Sequence, residues 1–215
     1  MAGARPPRRL AFDHGHGVVI ALRSGIESNL RGFQSVASPA AQLAAAVAIV
    51  LVEAAGEPCV PIFQRTARMR RHAGQMALPG GRTQEGETAE EAAIRELHEE
   101  LGLAVDPDDV LGRLDDFDTR SGFTITPVVI WSGAPADRLK PSNEEVQHLF
   151  VVPVSVLRQA VASARPGPSD EFSLRLPWVE VFAPTAAMLY QFSEVALDGR
   201  TVRVADFYQP PWTHR

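Results

Sequence analysis

The longest unbroken apolar run in the chain is LAAAVAIVLV, Leu43 to Val52, and after the turn-like AAGEP it is followed by PCVPIFQRT. Both runs are rich in β-branched residues, so the pattern predicts two strands joined as a hairpin. Upstream, residues 1 to about 40 are rich in Pro, Gly, Arg and Ser, with a weak apolar pattern from Ile20 to Phe33. That reads as a mobile end followed by a short helix. Thr88 to Leu101 carries the clearest helical period: Thr88 can cap it, Glu91 stands where a capping box needs it, and Gly102 follows as the stop.

DVLGRLDDFDT and GFTITPVVIWSG predict two further strands around the turn TRSG, the second placed at an edge or bulge because it contains Pro127. VPVSVLRQAVASA predicts a short helix, FSLRLPWVEVF a strand, and PTAAMLYQFSEVAL a helix opened by Pro184. The final PPWTHR reads as a tail that docks through Trp212 or frays. Together these elements describe an α/β (α+β) chain, a mixed sheet with helices packed on it. One domain over about 41–200 is expected, between an N-terminal extension (1–40) and a C-terminal tail (201–215).

Length and charge narrow the classes. At 215 residues the chain is long enough to bury a real core. A net charge of -5 and a pI near 5.7 argue against nucleic acid as a partner, so an anionic ligand must meet locally clustered arginines. The apolar run from Leu43 is about half of the roughly 20 residues a bilayer span needs, and no signal sequence is evident, so no membrane and a cytoplasmic location are expected. The single Cys59 fits a reducing compartment.

The helix 88–101 carries the chemistry. At about 100° per residue, Ala93, Ile94, Leu97 and Leu101 form a core-facing stripe. Glu96, Glu99 and Glu100 fall on an adjacent arc, at the border of buried and exposed surface. Like charges at i, i+3 and i+4 cost a helix a few tenths of a kcal/mol per pair, and a hard cation with oxygen preference, such as Mg²⁺, reverses that sign. Three glutamates alone still describe an ordinary solvated face. Their surroundings decide: Gly81, five residues, Glu87, seven residues, then Arg95-Glu96-Leu97-x-Glu99-Glu100-x-Gly102-Leu103. With seven fixed positions each at a frequency near glycine's, about 7%, a chance match at a given start is roughly one in 10⁸.

This spacing resembles the Nudix box, and the chain is similar to Nudix hydrolases. The resemblance implies a loop-helix-loop on an α/β/α sandwich and hydrolysis of a nucleoside diphosphate linked to another moiety. It further implies that Glu96, Glu99 and Glu100 bind Mg²⁺ or Mn²⁺ together with the Gly80 carbonyl. Arg95 and Glu87 would form a supporting ion pair, with Gly102 closing the helix. The general base varies in that family between a box glutamate and a later loop, and Glu145 in PSNEEVQHLF is the choice here. The residues expected to carry the reaction are thus Glu99, Glu100, Arg95 and Glu145.

Upstream, QRTARMRRHAGQMALPGG resembles the extension of the coenzyme A pyrophosphatase branch, with Arg65, Thr66, Arg70, His72, Gly74, Gln75, Pro79, Gly80 and Gly81 matching. Guanidinium forks suit phosphate oxygens, and Arg65, Arg68, Arg70 and Arg71 form the densest basic cluster of an acidic chain. Arg65, Arg70, His72, Gln75 and Gly81 are therefore the expected substrate-binding residues. The implied substrate is a small nucleotide of the coenzyme A kind, split to 3',5'-ADP and 4'-phosphopantetheine, and a homodimer is compatible with this reading. Other nucleoside diphosphate derivatives (NADH, ADP-ribose, a dinucleoside polyphosphate) and a non-catalytic nucleotide-binding module are the alternatives. Leu78 stands where that branch usually has Phe, and Phe182-Ala183-Pro184-Thr185-Ala186 keeps only the Thr-Ala of its later motif.

Overall fold

The structure is a computed structural model and describes residues 14–40, 42–67, 73–166 and 171–210, with side chains from Val19 onward. The predicted hairpin is present: β1 (Leu43–Ala54) turns through Ala55 and Gly56, both at positive φ, into β2 (Glu57–Arg65). The two strands pair only near the turn, from Val52↔Cys59 to Ala54↔Glu57. Beyond that they separate, and the segment carrying β3 (Met76–Ala77) and β4 (Gly80–Arg82) wedges between them, β3 on β2 and β4 on β1. β8 (Val146–Pro153) lies antiparallel on the other side of β2.

On its far side β1 pairs in parallel with β7 (Phe123–Pro135), which carries β5 (Val110–Arg113) and β6 (Phe117–Asp118) antiparallel beyond it. Of the two placements expected for Pro127, an edge or a bulge, the edge is corrected, since β7 is internal, while its outer pairing is irregular and broken opposite the proline. Pro127 is tolerated because its outer partner is interrupted there, between β5 and β6, and its carbonyl still accepts from Leu114 N–H at 3.0 Å.

Alternate residues of β1 enter two separate cores. Val47, Ile49 and Leu51 face one, and Ala46, Ala48, Val50 and Val52 the other. That period-2 split requires cover on both faces. The second core is covered by α2 (Ala89–Leu101) through Ala92, Ala93, Leu97 and Leu101. The first is covered by α1 (His14–Gly32), α3 (Val154–Ser163) and α4 (Thr185–Gln191), the last extended by a π-helical turn over Phe192–Leu197. The fold is an α/β/α sandwich around a mixed sheet.

Three elements differ from the sequence reading. α1 is not short: Val19, Leu22, Ile26, Leu30 and Phe33 recur at helical spacing and pack on the core, with Ile26 fully buried. The stretch expected as one strand after Glu171 is a hairpin of β9 (Ser173–Arg175) and β10 (Glu180–Phe182), with Trp178 exposed in its turn. Residues from Thr201 to Pro210 are anchored, with Val204 buried and Arg203 bonded to Asp115 at 2.5 Å. The expected mobile end at residues 1–13 and the docking of Trp212 lie outside the described residues. Among the described residues, no helix is long and apolar enough to cross a membrane.

Candidate active site

α2 begins as predicted. The Thr88 hydroxyl accepts from Glu91 N–H at 3.2 Å while the Glu91 carboxylate accepts from Thr88 N–H at 2.8 Å. It ends at Gly102 in the left-handed conformation, φ 64. A Cβ there would also stand 2.9 Å from Lys140 Cβ, so both backbone and space demand glycine. Along the helix, the three glutamates expected on one border are graded. Glu100 is 2% exposed, Glu96 is half-buried and Glu99 is exposed. Arg95 binds the set from the side. Its Nε and Nη2 fork onto Glu87 at 2.8 and 3.1 Å, while Nη1 reaches Glu96 at 2.7 Å and Glu99 at 3.1 Å. The hydrogen bond from Arg95 holds Glu87 below the usual carboxylate range.

The glutamates approach the sheet through the wedge. Gly80 N–H donates to Glu100 Oε2 at 2.8 Å, and the Glu96 carboxylate lies so close to Gly81 that a Cβ there would sit 2.3 Å from its Oε1. Gly81 is thus bare because a carboxylate occupies the space of its side chain. Gly80 is bare for another reason, since its Cβ would meet Ala46 O at 2.4 Å.

Glu145 arrives by backbone tethering. Ser142 N–H donates to Glu100 O at 2.8 Å, Lys140 N–H to Leu101 O at 2.7 Å, and Thr66 holds the other side through N–H to Glu145 O and hydroxyl to Glu144 O, both at 3.0 Å. The loop brings the Glu145 carboxyl near enough to Glu100 to raise the pKa of its carboxyl. Burial pushes the Glu100 carboxyl up to about 8, with Glu145 and Glu96 adding to the rise. Arg65, whose Nη2 is 3.7 Å from Glu100 Oε1, and the Gly80 N–H oppose it.

Glu96, Glu100, Glu145, Arg65, Gln75, Gly80 and Gly81 all line one cleft of about 840 Å³. Its remaining wall is largely apolar, formed by Met76, Leu78, Ile125, Phe182 and Met188, and Thr185 fixes α4 to it by donating to Met76 O at 3.0 Å. Glu99 and Arg95, expected among the reacting groups, do not line the cleft. Arg95 is consumed in the ion-pair cluster, and Glu99 points to Arg95. Arg70 and His72, with Arg68 and Arg71, lie outside the described residues. Sequence reasoning missed Arg82, Phe123, Thr119, Met188 and Gln209, which the fold brings to the cleft from four segments. Only Arg82, beside the glycine pair, carried a signal in its position.

Among the described residues, no three acidic, His or Cys side chains converge closely enough to form a ready cation site. The donor chemistry nevertheless fits a hard divalent cation. Glu96 and Glu100 are oxygen donors on a wall left bare by two glycines, and guanidinium groups now supply their positive counterpart.

A family model described as NUDIX domain matches residues 42–181, a span containing all of these acidic groups. The chain is 35% identical over 146 residues to an uncharacterized Nudix hydrolase, NudL, of Pectobacterium atrosepticum, covering 63% of this chain and 74% of that protein. It is 34% identical over 120 residues to Nudix hydrolase 3 of Caenorhabditis elegans, covering 54% of this chain and half of that one. A solved NUDIX hydrolase of Alicyclobacillus acidocaldarius shares the fold at a TM-score of 0.50 and 16% identity, over 76% of this chain and 95% of that one. With its box helix capped, Glu96 and Glu100 drawn to one cleft and its core matched by the family model, the chain belongs to the Nudix hydrolase family and is a pyrophosphohydrolase.

Proposed function

We propose that this pyrophosphohydrolase cleaves coenzyme A or an acyl derivative to 3',5'-ADP and 4'-phosphopantetheine, with Mg²⁺ or Mn²⁺ as cofactor. The observation that carries the reading is the make-up of the cleft: an acidic end at Glu96, Glu145 and the buried Glu100, Arg65 beside it, and a long apolar wall leading away. The acidic end suits a pyrophosphate neutralised by cations, and the apolar wall suits a flexible, largely aliphatic arm. Leu78, Phe182 and Thr185, which depart from or keep the branch's pattern, all lie on that wall.

Glu96, Glu99 and Glu100, with the Gly80 carbonyl, are the groups that would hold the cation, which supplies charge neutralisation and lowers the pKa of an attacking water. Arg65 and Gln75 bind phosphate oxygens, and Arg70 and His72 are assigned to the same task. Glu145 takes the proton from the water, on a loop held by the hydrogen bonds of Thr66 to the Glu144 and Glu145 carbonyls. Arg95 and Glu87 position the helix against the wedge without touching substrate.

A panel of coenzyme A, acetyl-CoA, NADH, ADP-ribose and a dinucleoside polyphosphate, with Mg²⁺ and products identified by mass, tests the assignment. Coenzyme A and its acyl form should be the preferred substrates. Glu99→Gln should lower kcat at least about 100-fold with the melting temperature unchanged, because the ligand is lost while the exposed position is not structural. Turnover of ADP-ribose or NADH with coenzyme A intact would contradict the substrate, and an active Glu99→Gln the metal assignment.

A further inference from the structure

Two arginines among the described residues line the cleft, and they are differently employed. Arg65 leans on Glu100 and on the Gly80 carbonyl. Arg82 is exposed, and its guanidinium lies over the Phe123 ring, 4.9 Å from the centroid, with no carboxylate paired to it among the described residues. Of the other acidic residues that line the cleft, Glu180 is already bound through Oε1 by Ser173 at 2.7 Å and Arg175 at 3.2 Å. A fork-shaped cation, backed by an aromatic face and open to the cleft, is therefore left without a counter-charge.

The strand register gives its distance from the acidic end. Gly80 pairs with Val47 and Arg82 with Ala45, while Phe123 pairs with Leu43. Arg82 thus starts two residues from Gly80 and its guanidinium leans toward a row four residues away, or roughly 7 to 13 Å at about 3.3 Å per residue. Its lean toward the Phe123 row carries the guanidinium away from Gly80 and Glu100, toward the far side of a nucleoside attached to a pyrophosphate held there. The turn that carries Phe123 adds hydroxyls there: Thr119 accepts from Phe123 N–H at 3.0 Å and lies 3.0 Å from the Ser121 hydroxyl, and both line the cleft.

We propose that Arg82, backed by Phe123 and flanked by Ser121 and Thr119, is a receptor for a second phosphate of the substrate, a phosphomonoester on the nucleoside half and distinct from the scissile pyrophosphate. This rests on reading the cleft as the pyrophosphate site. It explains why a cation is retained there unpaired, since a planar fork on an aromatic support matches phosphate oxygens. It also makes the nucleoside half a determinant of specificity.

Adenosine 3',5'-bisphosphate and 5'-AMP differ by that phosphate alone, and calorimetric binding of each to the full chain reads the subsite without turnover. The wild type should prefer the bisphosphate at least about tenfold, as expected for a charge-assisted contact. Arg82→Gln should abolish the preference, and Arg82→Lys should retain part of it. The Arg82 backbone carbonyl, not its side chain, receives Arg95 at 3.0 Å, so the helix support survives these changes. Equal wild-type affinities, no measurable binding of the bisphosphate, or equal weakening of both ligands in Arg82→Gln would overturn the proposal. Coenzyme A left intact in the substrate panel would instead overturn the proposed reaction, and the affinity ratio would still report on Arg82.

Discussion

Two adjacent glycines illustrate how one residue type serves two ends. The atoms nearest a Cβ on Gly81 would be the end of the flexible Glu96 side chain, whereas a Cβ on Gly80 would meet the Ala46 backbone. Gly81→Ala should therefore leave the melting temperature nearly intact and lower kcat by about 100-fold through displacement of Glu96. Gly80→Ala should unfold at clearly lower temperature, and thermal melts beside kinetics separate the two. Glu100 gives a pH signature. Its folded pKa is raised from 4.5 to about 8, mainly by burial, so the neutral form is the one the fold favours. The stability it contributes is fully present below about pH 4.5 and is lost as the pH rises through about 8. Chelator-treated protein should lose stability over that window, Glu100→Gln should lose less, and added Mg²⁺ should flatten the curve, releasing a proton on binding. The glycine and glutamate positions were legible from spacing alone. The burial of Glu100 was not, because a helical wheel orders directions and does not show how far the neighbouring wedge covers each one.

At the scale of elements, α2 was the most legible part, since its cap, box and stop are all local in sequence. Thr88→Ala should cost about 1 kcal/mol of stability with kcat little changed. Arg95→Lys should do the reverse, lowering kcat about tenfold because an ammonium cannot replace the fork to Glu87 while also reaching Glu96 and Glu99. Chemical denaturation and steady-state rates of both variants distinguish the roles. For strand β7, Pro127 left an edge or a bulge open, and the strand is internal with its outer ladder interrupted at the proline, because the exclusion of proline from internal strands assumes a continuous partner on each side. The split between β1 and β2, which admits the wedge, follows from long-range pairing and has no local signature.

The whole molecule is closed by contacts between segments far apart in sequence. Asp115 is buried and accepts from Val36 N–H at 2.8 Å, Gln191 Nε2 at 2.6 Å and Arg203 Nη1 at 2.5 Å. One carboxylate thus joins the end of the N-terminal segment, α4 and the C-terminal segment to the sheet. Composition alone suggested that the two ends are appendages, because the apolar stripe of α1 is diluted by glycines and arginines and Asp115 resembles any loop acid. Ile26→Ala should accordingly cost about 3 kcal/mol, as for a core position, in denaturant titration. The cleft draws its walls from this closed frame, so its substrate is decided at the same scale. The most direct measurement is incubation of the full chain with coenzyme A and Mg²⁺ in heavy-oxygen water, with products weighed by mass spectrometry. 3',5'-ADP and 4'-phosphopantetheine should appear in equal amounts, with one heavy oxygen taken into a phosphate of one of them. Coenzyme A recovered intact, in a preparation that turns over NADH or ADP-ribose, would contradict the account.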